Sequence, residues 1–299
     1  MLVGTDPFDH DGIFVAMNRE IAPSFSTGQP ICKAGIDLAL FDLTAKLLGQ
    51  NAAQRWNRKG KERLAISYTL NPKTWDDIGP MVADGQARGY RHFNVKVAPD
   101  LKFDLELCRQ VKKLAPDGFL WADANGGYDE ATALEAAPKL ADIGVPVLEQ
   151  PLPANRLEGY RRLKKQGALP IIMDEGIVST VELEEFIKLK LLDGVAMKPA
   201  RCGGLAEARR QIEILLREGL MFLGSGLSDP DLSLAGSLIL YGAYDLAYPA
   251  ALNGCQFLDG SVLERPFEVN DGFLEVPTGS GLGVQVDEAK IQQYLVKDV

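Results

Sequence analysis

Five short runs decide the fold of this chain: FNVK (93–96), FLWAD (119–123), VPVLE (145–149), IIMD (171–174) and GVAMK (194–198). Each run is largely apolar, ends in a charged residue and precedes a segment with helical periodicity. The charged residues are 27 (123 − 96), 26 (149 − 123), 25 (174 − 149) and 24 (198 − 174) positions apart. This rhythm is typical of successive strand–helix units in a parallel sheet. It predicts an α/β fold, a closed (β/α)8 barrel of the TIM type.

The barrel geometry brings the five charged residues together, because the C-terminal ends of all barrel strands meet at one mouth. With an earlier strand counted from Leu64 to Thr69, the five runs become strands two to six. Strands two and six are opposite each other in a ring of eight. Lys96 and Lys198 should therefore face each other across the mouth, with the three carboxylates on the arc between them.

Three carboxylates at one point need a counterion, because like charges repel strongly in a partly dry pocket. A divalent cation meets this need, and all-oxygen ligation favours Mg²⁺, with Mn²⁺ as the alternative, over Zn²⁺. The two histidines, His10 and His92, offer little imidazole ligation, and His92 falls deeper on the strand of Lys96, where a core role is expected. The cation would hold a substrate carboxylate while a neutral lysine removes the proton from the adjacent carbon.

A family resemblance appears in five motifs that follow one another at barrel spacing: NVKVAPD (94–100), DAN (123–125), LEQPL (148–152), DEG (174–176) and KPARCGGL (198–205). Together they resemble the enolase superfamily, and more narrowly its mandelate racemase/muconate-lactonizing-enzyme subgroup. A lysine base beside magnesium is the pattern of that superfamily. The resemblance implies three metal ligands, Asp123, Glu149 and Asp174, and an acid/base pair, Lys96 and Lys198.

Six further residues are assigned to substrate binding or to support of the ligands: Asn94, Asn125, Glu175, Gly203, Ser225 and Asp229. Asn125 would support the bound carboxylate or the metal shell. Backbone amides at Gly203 would approach the substrate, with a plain turn as the alternative. Asp229 and Asp231 either cap the next helix or hold a cationic substrate group, and the run SDPD before an apolar helical segment favours capping.

Asn94 departs from the subgroup pattern, which usually has lysine, any residue, lysine on strand two. Side chains alternate along a strand, so Asn94 points the same way as Lys96, roughly 7 Å lower. A second ammonium at this position would favour loss of the Lys96 proton by repulsion, whereas a neutral amide cannot. We hypothesise that Lys96 depends more on the metal and on Lys198 for its activation.

Opposed lysines permit more than one outcome after proton removal through a metal-stabilised enediolate. Return of the proton on the other face gives racemisation or epimerisation, and cycloisomerisation uses the same half-reaction; these are the predicted reactions. Dehydration of a hydroxy acid or hydroxylated amino acid is the alternative. Ala251 and Asn253 stand where dipeptide epimerases carry an Asp-x-Asp pair, which disfavours that activity. A Schiff-base aldolase that uses Lys198 is disfavoured, because that chemistry needs no metal and does not explain the three carboxylates.

Composition narrows the class of protein. The 299 residues suit one barrel with modest additions, and a net charge of −9 disfavours nucleic acid or an anionic membrane surface as a partner. No early basic segment precedes an apolar run, and no run approaches the ~20 apolar residues of a membrane span, so we expect a cytoplasmic protein. Its expected partner is a small carboxylate substrate. Relatives often assemble from several copies, so a homo-oligomer is one of the expected states.

Three regions are predicted: 1–60 as the helical remnant of an N-terminal capping domain, 61–260 as the barrel, and 261–299 as a segment returning to the cap. Relatives carry an α+β cap that begins with a sheet, so we expect a truncated or reduced cap here. A lost lid would admit water, and an inactive truncated member is therefore a further alternative. Asp37 and Asp42, on the helix predicted within the first region, are expected to be structural.

Overall fold

A computed structural model of the chain describes residues 2–21 and 28–295. Seven parallel strands, β2 to β8, pair in sequential order, and β1 pairs with β9 in a separate two-stranded sheet. In chain order the strands are β1 Arg63–Ala65, β2 Ser67–Leu70, β3 His92–Lys96, β4 Leu120–Asp123, β5 Val147–Glu149, β6 Ile171–Met173, β7 Gly194–Met197, β8 Met221–Gly224 and β9 Phe273–Glu275. All five runs quoted above therefore form neighbouring strands.

The eighth position of the ring is filled by two residues. Ala250 bridges Ile66 and Ala251 bridges Ser225, both in parallel. The Ala251 N–H donates to the Gly224 carbonyl at 2.8 Å, so the segment pairs with β8 on one side and with the chain beside β2 on the other. The predicted barrel is confirmed, with a final strand that is shorter than its sequence suggests.

Helices alternate with the barrel strands and cover them. Asp100 caps one of them, its side chain accepting from the N–H groups of Lys102 and Phe103. The helices are α1 His10–Glu20, α2 Pro30–Leu47, α3 Ala52–Arg55, α4 Ile78–Ala87, α5 Leu101–Leu114, α6 Glu130–Ile143, α7 Leu157–Gln166, α8 Thr180–Lys188, α9 Pro199–Cys202, α10 Leu205–Arg217, α11 Asp231–Ala243, α12 Gly254–Phe257 and α13 Glu288–Tyr294. Among the helices of residues 2–21 and 28–295, none combines the length and apolarity of a membrane span.

The first strand, predicted from Leu64 to Thr69, is divided in the structure. Arg63–Ala65 pairs antiparallel with Phe273–Glu275, and only Ser67–Leu70 enters the barrel, beside β3. The single strand expected from Leu64 to Thr69 is therefore wrong. The physical reason is that β1 pairs with β9, a strand about two hundred residues further along the chain, and not with a strand of the barrel.

An apolar layer fills the barrel interior below the mouth. Six side chains, contributed by five strands and by the short eighth segment, form one buried cluster. We call this cluster the apolar layer; its members are Trp121, Val147, Ile172, Ala196, Leu223 and Ala251. Stacked layers of inward-facing side chains are the usual filling of such barrels, so the interior is a packed core and not a channel.

Two acidic residues of α2 hold the barrel and the C-terminal segment. Asp37 is buried, and its Oδ2 accepts from the N–H of Leu205 at 2.6 Å and of Ala206 at 3.3 Å. Burial raises the pKa of Asp37 to about 7. Asp42 Oδ1 accepts from the N–H of Leu282 at 2.9 Å. The predicted structural roles of both residues are confirmed.

Candidate active site

Three carboxylates meet at the mouth of the barrel. Asp123, Glu149 and Asp174 are each at most 3% exposed, and each offers an oxygen that lies within 4.8 Å of the others. Across residues 2–21 and 28–295, this is the one group of three or more acidic, cysteine or histidine side chains close enough to share an ion. The cluster predicted from the sequence is present.

Strand order explains the convergence. Asp123 and Glu149 end neighbouring strands and stand opposite each other in register, while Asp174 directly follows the next strand, β6. Each carboxylate also follows, by two positions, a residue of the apolar layer, so period-two alternation points it into the same interior. The register and alternation of the strands are therefore sufficient to bring the three carboxylates together.

Glu149 is the most isolated of the three. Its Oε1 is buried and has no hydrogen-bond partner. Burial, then the charges of Asp123 and Asp174, raise the pKa of Glu149 well above the usual range for a glutamate. A buried acceptor without a donor is costly, and a cation shared by three carboxylates would satisfy it. The residues therefore fit a divalent metal ion.

Two lysines flank the cluster from opposite sides. Lys96 Nζ donates to Asp123, and Lys198 Nζ donates to Asp174. The side chain of Lys96 is 32% exposed and that of Lys198 is 10% exposed, so one amine is open to solvent and the other is enclosed. Burial lowers the pKa of Lys198, but the charges of Asp174 and Glu149 outweigh it and the net shift is upward.

Arg201 is a third cation at the site that the sequence reasoning missed. Its guanidinium is buried, pairs with Asp174 Oδ1 and donates to the carbonyls of Ile177 and Ala196, each at 2.8 Å. Burial alone would raise the pKa of Asp174, but Arg201 and Lys198 hold it below the usual value. The signal was present in KPARCGGL, because a residue three positions beyond Lys198 returns to the same side of a helical turn.

Two of the predicted supporting residues belong to the strand and loop that carry Lys96 and Asp123. Asn94 is buried on β3 and stands in register with Trp121. Asn125 has a left-handed φ of 44°, and its backbone N–H donates to Asp123 Oδ1 at 2.9 Å. Asn125 therefore contacts the first carboxylate through its main chain, while its side chain is exposed.

Glu175 and Ser225 also lie at the mouth. Glu175 follows Asp174, and desolvation, together with the charge of Asp174, raises the pKa of Glu175 to about 7. Ser225 is buried beyond β8, where its N–H donates to the Met197 carbonyl at 2.9 Å. Gly203 has a φ of +95° and ends α9, so its turn role is present in the structure.

Asp229 and Asp231 do not cap the following helix, so the capping prediction was wrong. Helix α11 has Pro230 at its N-cap and no side-chain capping bond. Asp231 turns instead to the C-terminal segment, where Oδ2 accepts from the Val262 N–H at 2.8 Å. Asp229 is buried, with Oδ1 accepting weakly from the Leu227 N–H at 3.3 Å. Burial raises the pKa of Asp229, and the nearby charge of Lys198 opposes that rise.

His92 is partly buried at the start of β3, where it takes a structural role and not a place in the core. Its Nδ1 accepts from the N–H of Phe119 at 3.1 Å, deep on β3 and away from the mouth. Burial, with the charge of Arg91, lowers the pKa of His92, which is consistent with a neutral ring that accepts a hydrogen bond. The chemistry of the mouth thus rests on oxygen and amine groups.

Comparison with known proteins gives a consistent result. The family model described as Enolase C-terminal domain-like matches residues 81–290. A chloromuconate cycloisomerase of Cupriavidus necator is 30% identical over 298 residues, covering 98% of this chain and 79% of that protein. An o-succinylbenzoate synthase of Geobacillus kaustophilus is 29% identical, covering 88% and 70%. An N-succinylamino acid racemase of Thermus thermophilus is 28% identical, covering 91% and 72%.

A solved structure extends the likeness to three dimensions. The crystal structure of 2-chloromuconate cycloisomerase from Rhodococcus opacus superposes with a TM-score of 0.90 at 26% identity. The match covers 98% of this chain and 81% of that one. The similarity therefore includes the helices before the barrel and the segment after it, as well as the strands that carry the charged residues.

Proposed function

Since this chain belongs to the enolase superfamily, as an isomerase or lyase of its muconate-lactonizing-enzyme subgroup, we propose that it removes the proton next to a substrate carboxylate in a Mg²⁺-dependent reaction. The observation that carries the proposal is the buried carboxylate cluster, with its partnerless Glu149 oxygen, between two opposed amines. The substrate is a small carboxylic acid.

The metal would be held by Asp123, Glu149 and Asp174, with Mn²⁺ as an alternative to Mg²⁺, because hard divalent cations prefer oxygen ligands. When bound, it supplies positive charge that binds the substrate carboxylate and stabilises the negative charge developed on deprotonation. Arg201 supports this role by keeping Asp174 ionised and fixed in place.

The two lysines would act on opposite faces of the substrate. One Nζ accepts the proton from carbon, and the other can deliver a proton from the far side. Lys198 is the more enclosed of the two, and the side chain of Lys96 is more open to solvent. Asn94 adds no charge beneath Lys96, so we retain the hypothesis that Lys96 depends on the metal and on Lys198 for activation.

Racemisation, epimerisation or cycloisomerisation is the reaction we propose, and the cycloisomerase and racemase relatives support it. Dehydration by the same half-reaction is the second candidate, because the second lysine can protonate a departing hydroxyl as well as a carbon. Dipeptide epimerisation is disfavoured, because Ala251 belongs to the apolar layer and Asn253 carries no charge to hold a substrate ammonium.

The proposal is tested by Mg²⁺ binding in a calorimeter and by deuterium incorporation from D₂O into N-acyl amino acids, hydroxyprolines and muconate-like acids. We expect metal binding, and exchange in at least one compound that falls by about 10²- to 10⁴-fold in Lys96→Met and in Lys198→Met. Lys164→Met is the matched control, since Lys164 is also partly buried and paired, with Asp193. A folded chain that binds no metal contradicts the ligand assignment.

A further inference from the structure

Gln150 has a fully buried side chain in which every polar position is used. Its Oε1 accepts from the backbone N–H of Asp174 at 2.9 Å and of Gly176 at 3.2 Å. Its Nε2 donates to the Leu152 carbonyl at 2.9 Å and to the Tyr160 hydroxyl at 2.7 Å. The amide thus fixes the loop that begins at Asp174 against the first turn beyond β5.

The backbone of Gln150 completes the connection. Its peptide bond joins it to Glu149, and its N–H donates to the Ile172 carbonyl at 2.8 Å. Its own carbonyl accepts from the Gly126 N–H at 2.7 Å, in the loop that follows Asp123. One residue therefore contacts the segment that follows Asp123 and the segment that begins at Asp174, and it is itself bonded to Glu149.

The conformation of Gln150 is unusual for its type. Its φ is +37°, in the left-handed region that residues with a Cβ rarely occupy. Such strain persists where surrounding contacts determine the conformation, and it is common beside functional sites. Glycine, which has no Cβ, would be easier to accommodate at this φ, yet it could not make the four side-chain hydrogen bonds.

We propose that Gln150 is a positioning residue that sets the separation of the Asp123, Glu149 and Asp174 carboxylates for a divalent cation. The inference rests on the proposed metal site and adds a residue that does not touch the ion. Its amide lies between the β5–α7 connection and the backbone from Asp174 to Gly176, so its effect is exerted through the segments that it joins. Partners that orient metal ligands commonly affect metal affinity by about 10- to 100-fold.

The test compares Mn²⁺ affinity with stability in paired variants, using the full chain. Gln150→Met keeps the length of the side chain and removes all four hydrogen bonds; we expect the Kd for Mn²⁺, measured by electron paramagnetic resonance, to rise about 10- to 100-fold. Gln211→Met is the matched control, because Gln211 lies on α10, is equally buried and accepts from Cys202 Sγ instead of from the Asp174 segment. The control should keep the Kd of the wild type, and its stability in urea should change little, because the Gln211 Nε2 has no hydrogen-bond partner to lose.

Tyr160→Phe is the second variant, and it removes only the hydroxyl that accepts from Gln150. We expect a smaller rise in the Kd, of about two- to fivefold by comparison with full loss of the amide. If Gln150→Met does not fold, this variant decides the question alone. Unchanged Mn²⁺ affinity in the folded Gln150 variant, or in Tyr160→Phe when it stands alone, overturns the positioning role. Absence of Mn²⁺ binding by the wild type overturns the metal site itself, and the positioning role with it.

Discussion

The two interior levels of the barrel are built from the same strands and have opposite chemistry. The lower level is the apolar layer, whose six members are almost fully buried and contact one another. The upper level, two residues further along, is charged. Four strands show the change directly: Trp121 precedes Asp123, Val147 precedes Glu149, Ile172 precedes Asp174 and Ala196 precedes Lys198.

This contrast shows how a rigid scaffold and a reactive site can share one set of backbones. Period-two alternation points both levels inward, so the position along the strand alone decides whether a side chain stabilises the core or performs chemistry. The lower level gains free energy by burial. The upper level is destabilising, because it brings like charges close together, and this is common in active sites.

The sharpest way to break the contrast is to remove packing from the lower level. Leu223→Ala deletes most of a buried side chain on a strand that bears no carboxylate ligand, and we expect the free energy of unfolding to fall by about 2–5 kcal/mol. Urea denaturation measures the loss, and Mn²⁺ affinity should stay at the wild-type value. Leu189→Ala, at an exposed site, should change stability by less than about 0.5 kcal/mol.

The converse change is made in the upper level. Glu149→Gln removes a buried acid that its neighbours repel, so we expect the metal-free protein to gain about 0.5–2 kcal/mol of stability and to lose Mn²⁺ binding. The sign follows from the raised pKa of Glu149. The folded wild type binds this proton more tightly than the unfolded chain, so its stability falls as the pH rises above the usual glutamate range.

Urea unfolding in a chelator, at about pH 5 and at about pH 8, measures the gain, which should be larger at the higher pH. Glu135→Gln, at an exposed site on α6, is the control and should show no such pH dependence. A Glu149→Gln protein less stable than the wild type at both pH values would contradict the view that the upper level is under electrostatic strain.

The smallest expected effect lies at Asn94, a polar residue at the height of the lower level. This residue stands in register with Trp121 and two positions before Lys96, so Asn94→Lys would bring a charge into the lower level. We expect the ascending limb of the pH–rate profile, where the lysine base loses its proton, to move to lower pH by about one unit, because a second ammonium favours proton loss from its neighbour. An unmoved limb would contradict our hypothesis for the activation of Lys96.

Much of the fold and of the site could be predicted because both follow from spacing. A constant interval between charged strand ends determines which residues meet in a barrel, whatever the loops do. Arg201 and Gln150 escaped prediction because their roles depend on where a long side chain turns after the backbone is fixed. Arg201 lies in KPARCGGL and Gln150 lies in LEQPL, two motifs in which the neighbouring lysine and glutamate carried the predicted roles.

The errors have a similar origin in distant partners. Asp231 had the sequence context of an N-cap. Its carboxylate instead accepts a hydrogen bond from the N–H of Val262, thirty-one residues away. The first strand was divided because β9 pairs with its beginning. A local sequence pattern predicts a cap or a strand, but contacts with residues far along the chain can override it. Those distant contacts are not visible in the local pattern.

The two-residue seam at Ala250 and Ala251 has a consequence for how the barrel comes apart. A ring opens with least loss where the fewest backbone hydrogen bonds join adjacent strands, and the eighth position joins its neighbours by isolated bridges alone. This seam, formed by Ala250 and Ala251, also lies between the strands that carry the charged residues and the part of the chain that follows residue 251. It divides the molecule into a long unit, which contains every proposed ligand, and a short closing piece, which makes it the natural place to cut the chain into complementary fragments.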